Sequence, residues 1–382
     1  MKHPHHVGKP LKHKLETPVA GMRPSQHPGA SAILAAYEGM SFQARNLGKA
    51  ATLMTTMARD KSCLKVLTMA GALIPGGLKQ VVMEMIEHRL VDVIISTGAN
   101  MTHDWVEGCG QHHYRHCDLA DDKELQEARV NRIYDTFLDE QSFRAASTIL
   151  METLPKLGGQ TVTSRQITKL LGDTATVPCV LSAAARHDVP VYIPALNDSE
   201  LGMGVNRYNL KVAKKGRQVT WDALADNADF ADVFRAGDKA GIVILGGGVP
   251  RNWAQQVTPL LEYLNFELSD LEHGFDGYHY GLHITTDTPV FGGMSGCTFS
   301  ESVSWGKYEA ASEYVTVNCD ITIALPLIVA ASLERLRNGS PEPAASAAGG
   351  HPRHAHMHHH APEAKKPPKA DGKAAKKGGK GK

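Results

Sequence analysis

The chain is poor in cysteine, in aromatic residues and in long hydrophobic runs. Only six of its 382 residues are cysteine, and their irregular spacing excludes a disulfide-stapled fold and favours reduced thiols. The longest apolar stretch, near residues 321–332, is well short of the roughly 18 residues that a membrane-spanning helix needs. Residues 1–28 contain no apolar segment typical of a secretory signal. The sequence therefore predicts a cytoplasmic protein without a membrane segment.

The net charge is small, +1 at pH 7, but the charges are unevenly distributed. From Gly339 onward nine basic residues face three acidic ones, which leaves 32 basic and 37 acidic residues in the rest of the chain. Residues 1–30 and 339–382 are rich in His, Lys and Pro and lack the apolar surface needed to fold, so we expect both to be disordered. The tail is either a solvated extension or a weak contact for nucleic acid or another anionic surface.

Between residues 31 and 338, segments that predict strands alternate with segments that predict helices. The β-branched run at 91–96 is typical of a strand covered on both faces, whereas 78–90 carries apolar residues at helical spacing. This alternation predicts a single large α/β domain, with a parallel sheet and helices on both faces. The predicted strands are 64–73, 91–96, 189–196, 241–245 and 315–317, and the predicted helices are 78–90, 124–138, 143–154, 221–236, 251–264 and 321–336.

Small and polar residues follow three of the predicted strands. Residues 97–100 follow the strand at 91–96, residues 197–198 follow the strand at 189–196, and three consecutive glycines at 246–248 follow the strand at 241–245. Ligands of such sheets bind outside the carboxyl ends of the strands. Consecutive glycines let backbone N–H groups approach a phosphate, but they are equally typical of a tight turn. Because the glycines do not match the G-x-G-x-x-G pattern, both interpretations remain open.

Two further groups of residues suggest metal or thiol chemistry. Residues 103–117 contain several histidines and cysteines, but their spacing fits no standard zinc framework, so we predict a polar loop beside a pocket and no bound metal. Cys297 lies in a glycine-rich loop. It could be a nucleophile if a nearby histidine or cation lowered its pKa, and an inert thiol is the alternative.

Lys307 follows the same loop, at the end of the motif E-S-V-S-W-G-K. A lysine amine is a nucleophile only when it is deprotonated, so an enzyme must lower its pKa by burial or with a neighbouring cation. Trp305 could supply an apolar wall and stack on an amine substrate. A turn could bring Glu301 to the same pocket as an amine anchor or proton acceptor. On composition alone, an ordinary surface lysine is the alternative.

Taken in order, these motifs resemble the deoxyhypusine synthase family. The matching motifs are G-G-G-V-P at 246–250, E-S-V-S-W-G-K at 301–307, V-N-C-D at 317–320 and A-L-P-L at 324–327. P-A-L-N-D at 194–198 and residues 91–99 fit as well. The resemblance covers about residues 30–336, and its E-x-V-S-W-G-K motif is highly specific.

The resemblance implies a Rossmann-like domain that binds NAD and assembles as a homotetramer with active sites at dimer interfaces. It implies an enzyme that oxidises spermidine to an imine with NAD, carries the aminobutyl group on a lysine and passes it to an acceptor amine. Lys307 would be the covalent nucleophile, and Glu301 and Trp305 would line the amine site. The residues implied around NAD are Thr97, Gly98, Ala99, Asp198, Gly247, Thr286, Asp287, Asp320 and Ile321.

The sequence departs from the family pattern at four positions of the amine site. Met203 and Met294 stand where the family has aspartates, Asn252 replaces a histidine, and His103 replaces a glutamate. Acidic anchors for the ammonium groups of a polyamine are therefore missing, and leaving a buried ammonium unpaired is costly. The resemblance thus predicts an altered substrate pocket, as in the bacterial deoxyhypusine synthase-like proteins.

Three hypotheses about function follow. The first is an NAD-dependent transferase that moves an aminobutyl-type group between small amines through an imine on Lys307, with homospermidine-type synthesis as one version. The second is a true deoxyhypusine synthase that acts on a protein lysine. The third is an inactive NAD-binding scaffold in which the tail carries the function. The intact W-G-K motif argues against this third hypothesis.

Overall fold

The computed structural model describes residues 17–115, 121–268 and 277–339, with residues 265–268 described by their backbone alone. These residues belong to one compact unit. The strands are β1 (Cys63–Met69), β2 (Val93–Ser96), β3 (Tyr114–Arg115), β4 (Val130–Ile133), β5 (Thr136–Asp139), β6 (Thr161–Val162), β7 (Val191–Tyr192), β8 (Thr220–Trp221), β9 (Lys239–Leu245), β10 (Tyr278–Thr285) and β11 (Tyr308–Asn318). The helices are α1 (Gly29–Glu38), α2 (Phe42–Arg59), α3 (Lys79–Glu87), α4 (Gly98–Gly108), α5 (Asp122–Ala128), α6 (Glu140–Thr153), α7 (Ser164–Thr174), α8 (Val180–Arg186), α9 (Glu200–Val212), α10 (Ala223–Arg235), α11 (Gly248–Gln255), α12 (Val257–Leu268), α13 (Phe299–Ser304) and α14 (Ile321–Arg337).

Six strands form the main sheet, in the order β11-β10-β9-β1-β2-β7, and every neighbouring pair is parallel. When these strands are renumbered along the chain, the order is the 3-2-1-4-5-6 of dinucleotide-binding folds. The chain reverses its direction of travel across the sheet between β1 and β9. In folds with this order, ligands bind at the carboxyl ends of the strands on either side of that switch point.

Both faces of the main sheet are covered, because successive side chains of its strands point to opposite faces. Leu67, Ile94 and Val243 belong to an apolar cluster with α1, α2, α3 and α14. Their chain neighbours Val66 and Ile95 belong to a second cluster, with α10, α11, α12 and α13. The predicted Rossmann-like sheet with helices on both faces is therefore confirmed.

The predicted helix over 124–138 is wrong in its second half. Helix α5 ends at Ala128, and Arg129 then adopts a left-handed conformation with φ of 58°. The chain continues as an antiparallel hairpin in which β4 pairs with β5. The β-branched residues Val130, Ile133 and Thr136 favour strands over a helix, and the spacing of apolar residues alone did not reveal this.

Two other predictions change at their boundaries. The helix expected over 251–264 is two helices, because Pro259 lacks the N–H that would bond to the Gln255 carbonyl, which instead accepts from the Thr258 hydroxyl at 3.1 Å. Disorder was expected through residue 30, but residues 29 and 30 are helical. Helix α1 begins at Gly29, and the carboxylate of Glu334 in α14 accepts from the N–H of Ser31 at 2.8 Å. Residues 1–16 and 340–382 lie outside the described residues.

Within the described part of the chain, no helix is both long enough and apolar enough to cross a membrane.

Candidate active site

The triple-glycine turn after β9 forms the floor of the candidate site. Gly246 and Gly248 have φ of 77° and 61°, a region that favours glycine. A Cβ on Gly247 would lie 2.5 Å from the Cα of Ser295, so only glycine lets the loop after β10 pack on this turn. Helix α11 begins here. The turn is therefore tight and closely packed, and it also places a helix N-terminus at the carboxyl edge of the sheet.

The residues implied around NAD lie along this edge, each just after a strand of the main sheet. Thr97 caps α4 by accepting from the Asn100 N–H at 3.4 Å, and Asp320 caps α14 by accepting from the Thr322 N–H at 2.8 Å. Three helices, α4, α11 and α14, begin at this edge, so their N–H groups can bind a phosphate. The edge therefore fits a dinucleotide. Its implied members are Thr97, Gly98 and Ala99 after β2, Asp198 after β7, Gly247 after β9, Thr286 and Asp287 after β10, and Asp320 and Ile321 after β11.

Lys307 is held between α13 and β11. The Thr298 side chain caps α13, Gly306 with φ of 67° turns the chain at its end, and the N–H of Lys307 donates to the Ser302 carbonyl at 3.2 Å. The lysine is only 9% exposed, which excludes an ordinary surface lysine, and its Nζ donates to Oδ1 of Asn252 at 3.0 Å. Burial lowers the pKa of the Lys307 amine. These are the conditions that a nucleophilic lysine requires.

Arg251 lies next to this lysine, and the sequence analysis did not identify it. It is 0% exposed, its Nη1 donates to the Met294 carbonyl at 3.0 Å, and its charge further lowers the pKa of Lys307. The available signal was its position directly before Asn252 in α11. We overlooked it because charged residues are rarely fully buried unless they are paired.

Glu301 and Trp305 are placed differently from each other. Glu301 lies in the first turn of α13, and its carboxylate opposes the lowering of the Lys307 pKa, so it acts on the same amine. Trp305 ends α13 and is 68% exposed. The left-handed Gly306 lies between Trp305 and Lys307 in the chain, and the role of Trp305 as an apolar wall on Lys307 stays a prediction.

The remaining residues of the predicted amine site are split between two regions. Asn252 bonds to Lys307, and the carbonyl of Met294 bonds to Arg251, so both residues lie near Lys307. Met203 and His103 lie on α9 and α4, which follow β7 and β2 at the other end of the sheet. Met203 is 54% exposed. One chain therefore brings together only part of the predicted pocket.

His103 is part of a hydrogen-bonded chain of ionisable groups. Its Nδ1 lies 2.9 Å from Nε2 of His113, whose Nδ1 bonds to Glu107 at 2.7 Å, and Glu107 forms a salt bridge with Lys79 at 2.5 Å. Burial, reinforced by His113, lowers the pKa of His103 to about 4. The residue that replaces the family glutamate is therefore a neutral imidazole near pH 7.

Cys297 and the histidine-rich segment were the remaining candidates for thiol or metal chemistry. The Cys297 sulfur contacts the Thr298 carbonyl at 3.6 Å and the Ser302 hydroxyl at 3.8 Å. Burial raises the pKa of Cys109 to about 12, which makes it a poor nucleophile. Among the residues that the structure describes, no three His, Cys, Asp or Glu side chains are grouped to hold a metal. His116 and Cys117 lie outside those residues.

Comparisons with known proteins agree with this geometry. The model of the deoxyhypusine synthase family matches residues 32–332. The chain is 35% identical over 300 residues to "Probable deoxyhypusine synthase 2" of Methanosarcina acetivorans, covering 77% of this chain and 84% of that protein. It is 34% identical over 310 residues to the deoxyhypusine synthase-like protein of Chlorobaculum parvum, covering 79% and 86%.

A solved structure supports the fold. The candidate deoxyhypusine synthase from Entamoeba histolytica superimposes with a TM-score of 0.54 at 15% identity, over 82% of this chain and 96% of that one. Members of the family are NAD-dependent aminobutyltransferases. With a family match over most of its length, the chain belongs to the deoxyhypusine synthase family.

Proposed function

We propose that this protein is an NAD-dependent transferase that moves an aminobutyl-type group between amines, with Lys307 as the residue that carries it. The observation that supports this most is the buried Lys307 amine, whose pKa is lowered and whose only described hydrogen-bond partner is the neutral side chain of Asn252. Because Nζ donates a hydrogen to Asn252, the lone pair of the uncharged amine is free to attack a carbon.

NAD would be held by the N–H groups that begin α4, α11 and α14, and when bound it would supply reversible hydride acceptance at the carbon beside the donor nitrogen, which would convert the donor to an imine. Lys307 attacks the imine carbon, and the rest of the donor leaves as an amine that takes the proton lost by Nζ. The aminobutyl group is then held as an imine on Lys307. An acceptor amine attacks the same carbon and releases Lys307. Glu301 would exchange protons with the amines, because it lies within electrostatic range of Lys307.

The altered pocket favours a small amine as acceptor, as in homospermidine-type synthesis. Met203, Met294, Asn252 and His103 are all neutral near pH 7, so a substrate would find fewer acidic anchors than the family pattern provides. A substrate with many ammonium groups would leave charges unpaired. Glu301 is the acid that remains beside Lys307 and could bind one ammonium end.

We further propose that the protein assembles as a homotetramer and that a second copy completes the site. Val290 and Phe291 on the loop after β10 are 84% and 82% exposed, and Trp305 at the end of α13 is 68% exposed. Exposed apolar residues of this kind are typical of subunit contacts. A partner could also supply the His103 and Met203 region that the chain itself places at the other end of the sheet. The five described cysteines are free, which supports a cytoplasmic location.

Borohydride trapping tests the proposed function. The protein is incubated with NAD and with spermidine, putrescine or another small amine, reduced, and examined by mass spectrometry for an adduct on Lys307. We expect an NAD-dependent adduct that is lost in Lys307→Arg. The matched control is Lys239→Arg, because Lys239 is paired with Asp60 at 2.9 Å away from the site and should change nothing.

Other outcomes identify the alternatives. An adduct that turns over only when a protein lysine is supplied would indicate a true deoxyhypusine synthase. No adduct with any amine, together with retained NAD binding, would indicate an inactive scaffold and would refute the proposal.

A further inference from the structure

The guanidinium of Arg251 is buried, and none of the described carboxylates forms a salt bridge with it. The residue has no exposed surface, and only its Nη1 is bonded, to the Met294 carbonyl. Its Nε and Nη2 have no hydrogen-bond partner among the described residues. Burying a charge in this way is costly unless the charge is paired, so this arginine is poorly suited to a purely structural role.

The local structure directs this charge at Lys307. Arg251 and Asn252 are consecutive in the first turns of α11, and Asn252 bonds directly to the lysine amine. The close packing of Gly247 on Ser295 holds the loop after β10 against α11, where Arg251 bonds to it. The arginine therefore adjoins the residue that bonds to the lysine amine, and its bond to the loop fixes its own position.

Two of the other ionisable groups near this pair act in the opposite sense to the arginine. Cys297 in the loop and Glu301 in α13 raise the pKa values of both Lys307 and Arg251, and Tyr308 of β11 raises the pKa of Arg251. Burial and then Arg251 lower the pKa of His283 of β10 to about 4, so this histidine is neutral near pH 7.

Two further details complete these surroundings. Burial raises the pKa of Tyr308 far above 7, so the phenol is uncharged. The carboxylate of Glu262, in α12, lies close to Gly306, the residue before Lys307. Neither group pairs with the guanidinium of Arg251.

We propose that Arg251 is a positioning residue of the transfer reaction, whose unpaired buried charge keeps the Lys307 amine in its neutral, nucleophilic form. The role of Arg251 in the transfer rests on the proposed function, whereas the experiment below measures only the pKa of Lys307. A guanidinium stays protonated at any working pH. A like charge disfavours protonation of its neighbour, and an adjacent cation is a known way to activate a lysine. The lone pair of Lys307 is thereby available before any substrate arrives.

The sign of the pH effect follows. With Arg251 present, the pKa of Lys307 is lowered, and the neutral form is populated at a lower pH. Without that charge the pKa of Lys307 rises, so the same fraction of neutral amine is reached only at higher pH. The acid side of the activity profile should then move upward by about one pH unit.

Competitive labelling measures the pKa of Lys307 without any substrate. The intact protein is treated with a trace of acetic anhydride across a pH series, and the acetylation of each lysine is quantified by mass spectrometry. We expect Lys307 to titrate below the ordinary lysine pKa of about 10.4. In Arg251→Gln, whose amide can still donate to the Met294 carbonyl, the midpoint should rise by about one unit, whereas Arg251→Lys should keep the parent value.

Arg165→Gln is the matched control, because Arg165 is paired with Asp229 at 3.1 Å on another part of the fold and should leave the Lys307 midpoint unchanged. If Arg251→Gln is unstable, Arg251→Met replaces it. An ordinary midpoint in the parent protein overturns the inference, as does an unchanged midpoint in the neutral variant. A lowered midpoint without any trapped adduct would leave this inference standing and reject the proposed transferase.

Discussion

Two clusters of ionisable side chains in this protein differ in whether their charged groups are paired. Around His103, each group has a partner, in a chain that runs through His113 and Glu107 to Lys79. Around Lys307, the cation of Arg251 is buried, and two of its nitrogen atoms have no partner among the described residues. Paired charges stabilise a fold and hold side chains in place, whereas unpaired charges shift the chemistry of their neighbours. We therefore interpret the cluster around His103 as structural and the cluster around Lys307 as reactive.

The largest expected effect comes from removing the reactive amine itself. Lys307→Met should reduce the proposed transfer on the order of a thousandfold or more, because no other group can form the imine. The free energy of unfolding should not fall, since the substitution replaces a buried amine bonded to one neutral partner by an apolar chain of similar length. Steady-state kinetics and denaturant unfolding check both statements. A variant that unfolds easily would show that Lys307 is mainly structural.

Breaking the paired network should act on stability instead. Glu107→Gln removes the charge that lies between His113 and Lys79, and leaving a buried partner uncompensated costs roughly 3 kcal/mol of the free energy of unfolding. Denaturant unfolding at pH 7 measures the loss. Glu140→Gln is the control, because Glu140 pairs with Arg144 in an exposed pair and should cost little. Equal effects in the two variants would contradict the comparison.

The pH dependence of stability sharpens the same comparison. The pKa of His103 falls from 6.5 to about 4 in the folded state, so the unfolded chain binds its proton first as the pH is lowered. The contribution of the neutral imidazole is therefore full above pH 6.5 and is lost between pH 6.5 and about 4, with a magnitude of about 3 kcal/mol. His103→Asn should flatten that part of a stability-against-pH curve. An unchanged slope would mean that His103 is not neutral in the folded protein.

Much of the fold could be predicted from the sequence because its signals are local. The β-branched runs predicted strands β2 and β9, and the small residues after these strands indicated the edge of the sheet that fits a dinucleotide. Strand β10 was missed. Its sequence from Tyr278 to Thr285 alternates bulky and polar residues, and its burial depends on packing from distant segments, such as the ring of Phe299 against Gly281.

The candidate site could be predicted only in part, for a similar reason. Lys307 was found because it belongs to a specific motif, and its burial agrees with the role predicted for it. Arg251 was not found, since its position directly before Asn252 does not distinguish a buried, unpaired arginine from a solvated one. Trp305 belongs to the same motif, but its 68% exposure could not be predicted from the sequence.

The smallest expected effect tests whether the neutral pocket decides the substrate. Met203→Asp restores an acid near the start of α9, where a negative charge also suits the helix N-terminus. A charge-assisted hydrogen bond to a substrate ammonium is worth about 1.5 kcal/mol, so the KM for spermidine should fall about tenfold with little change in kcat. Met203→Asn keeps the size without the charge and should leave KM nearly unchanged. Because Met203 lies at the other end of the sheet from Lys307, a response would also require that the two regions meet in the assembled protein, and a KM that stays at the parent value would argue that they do not.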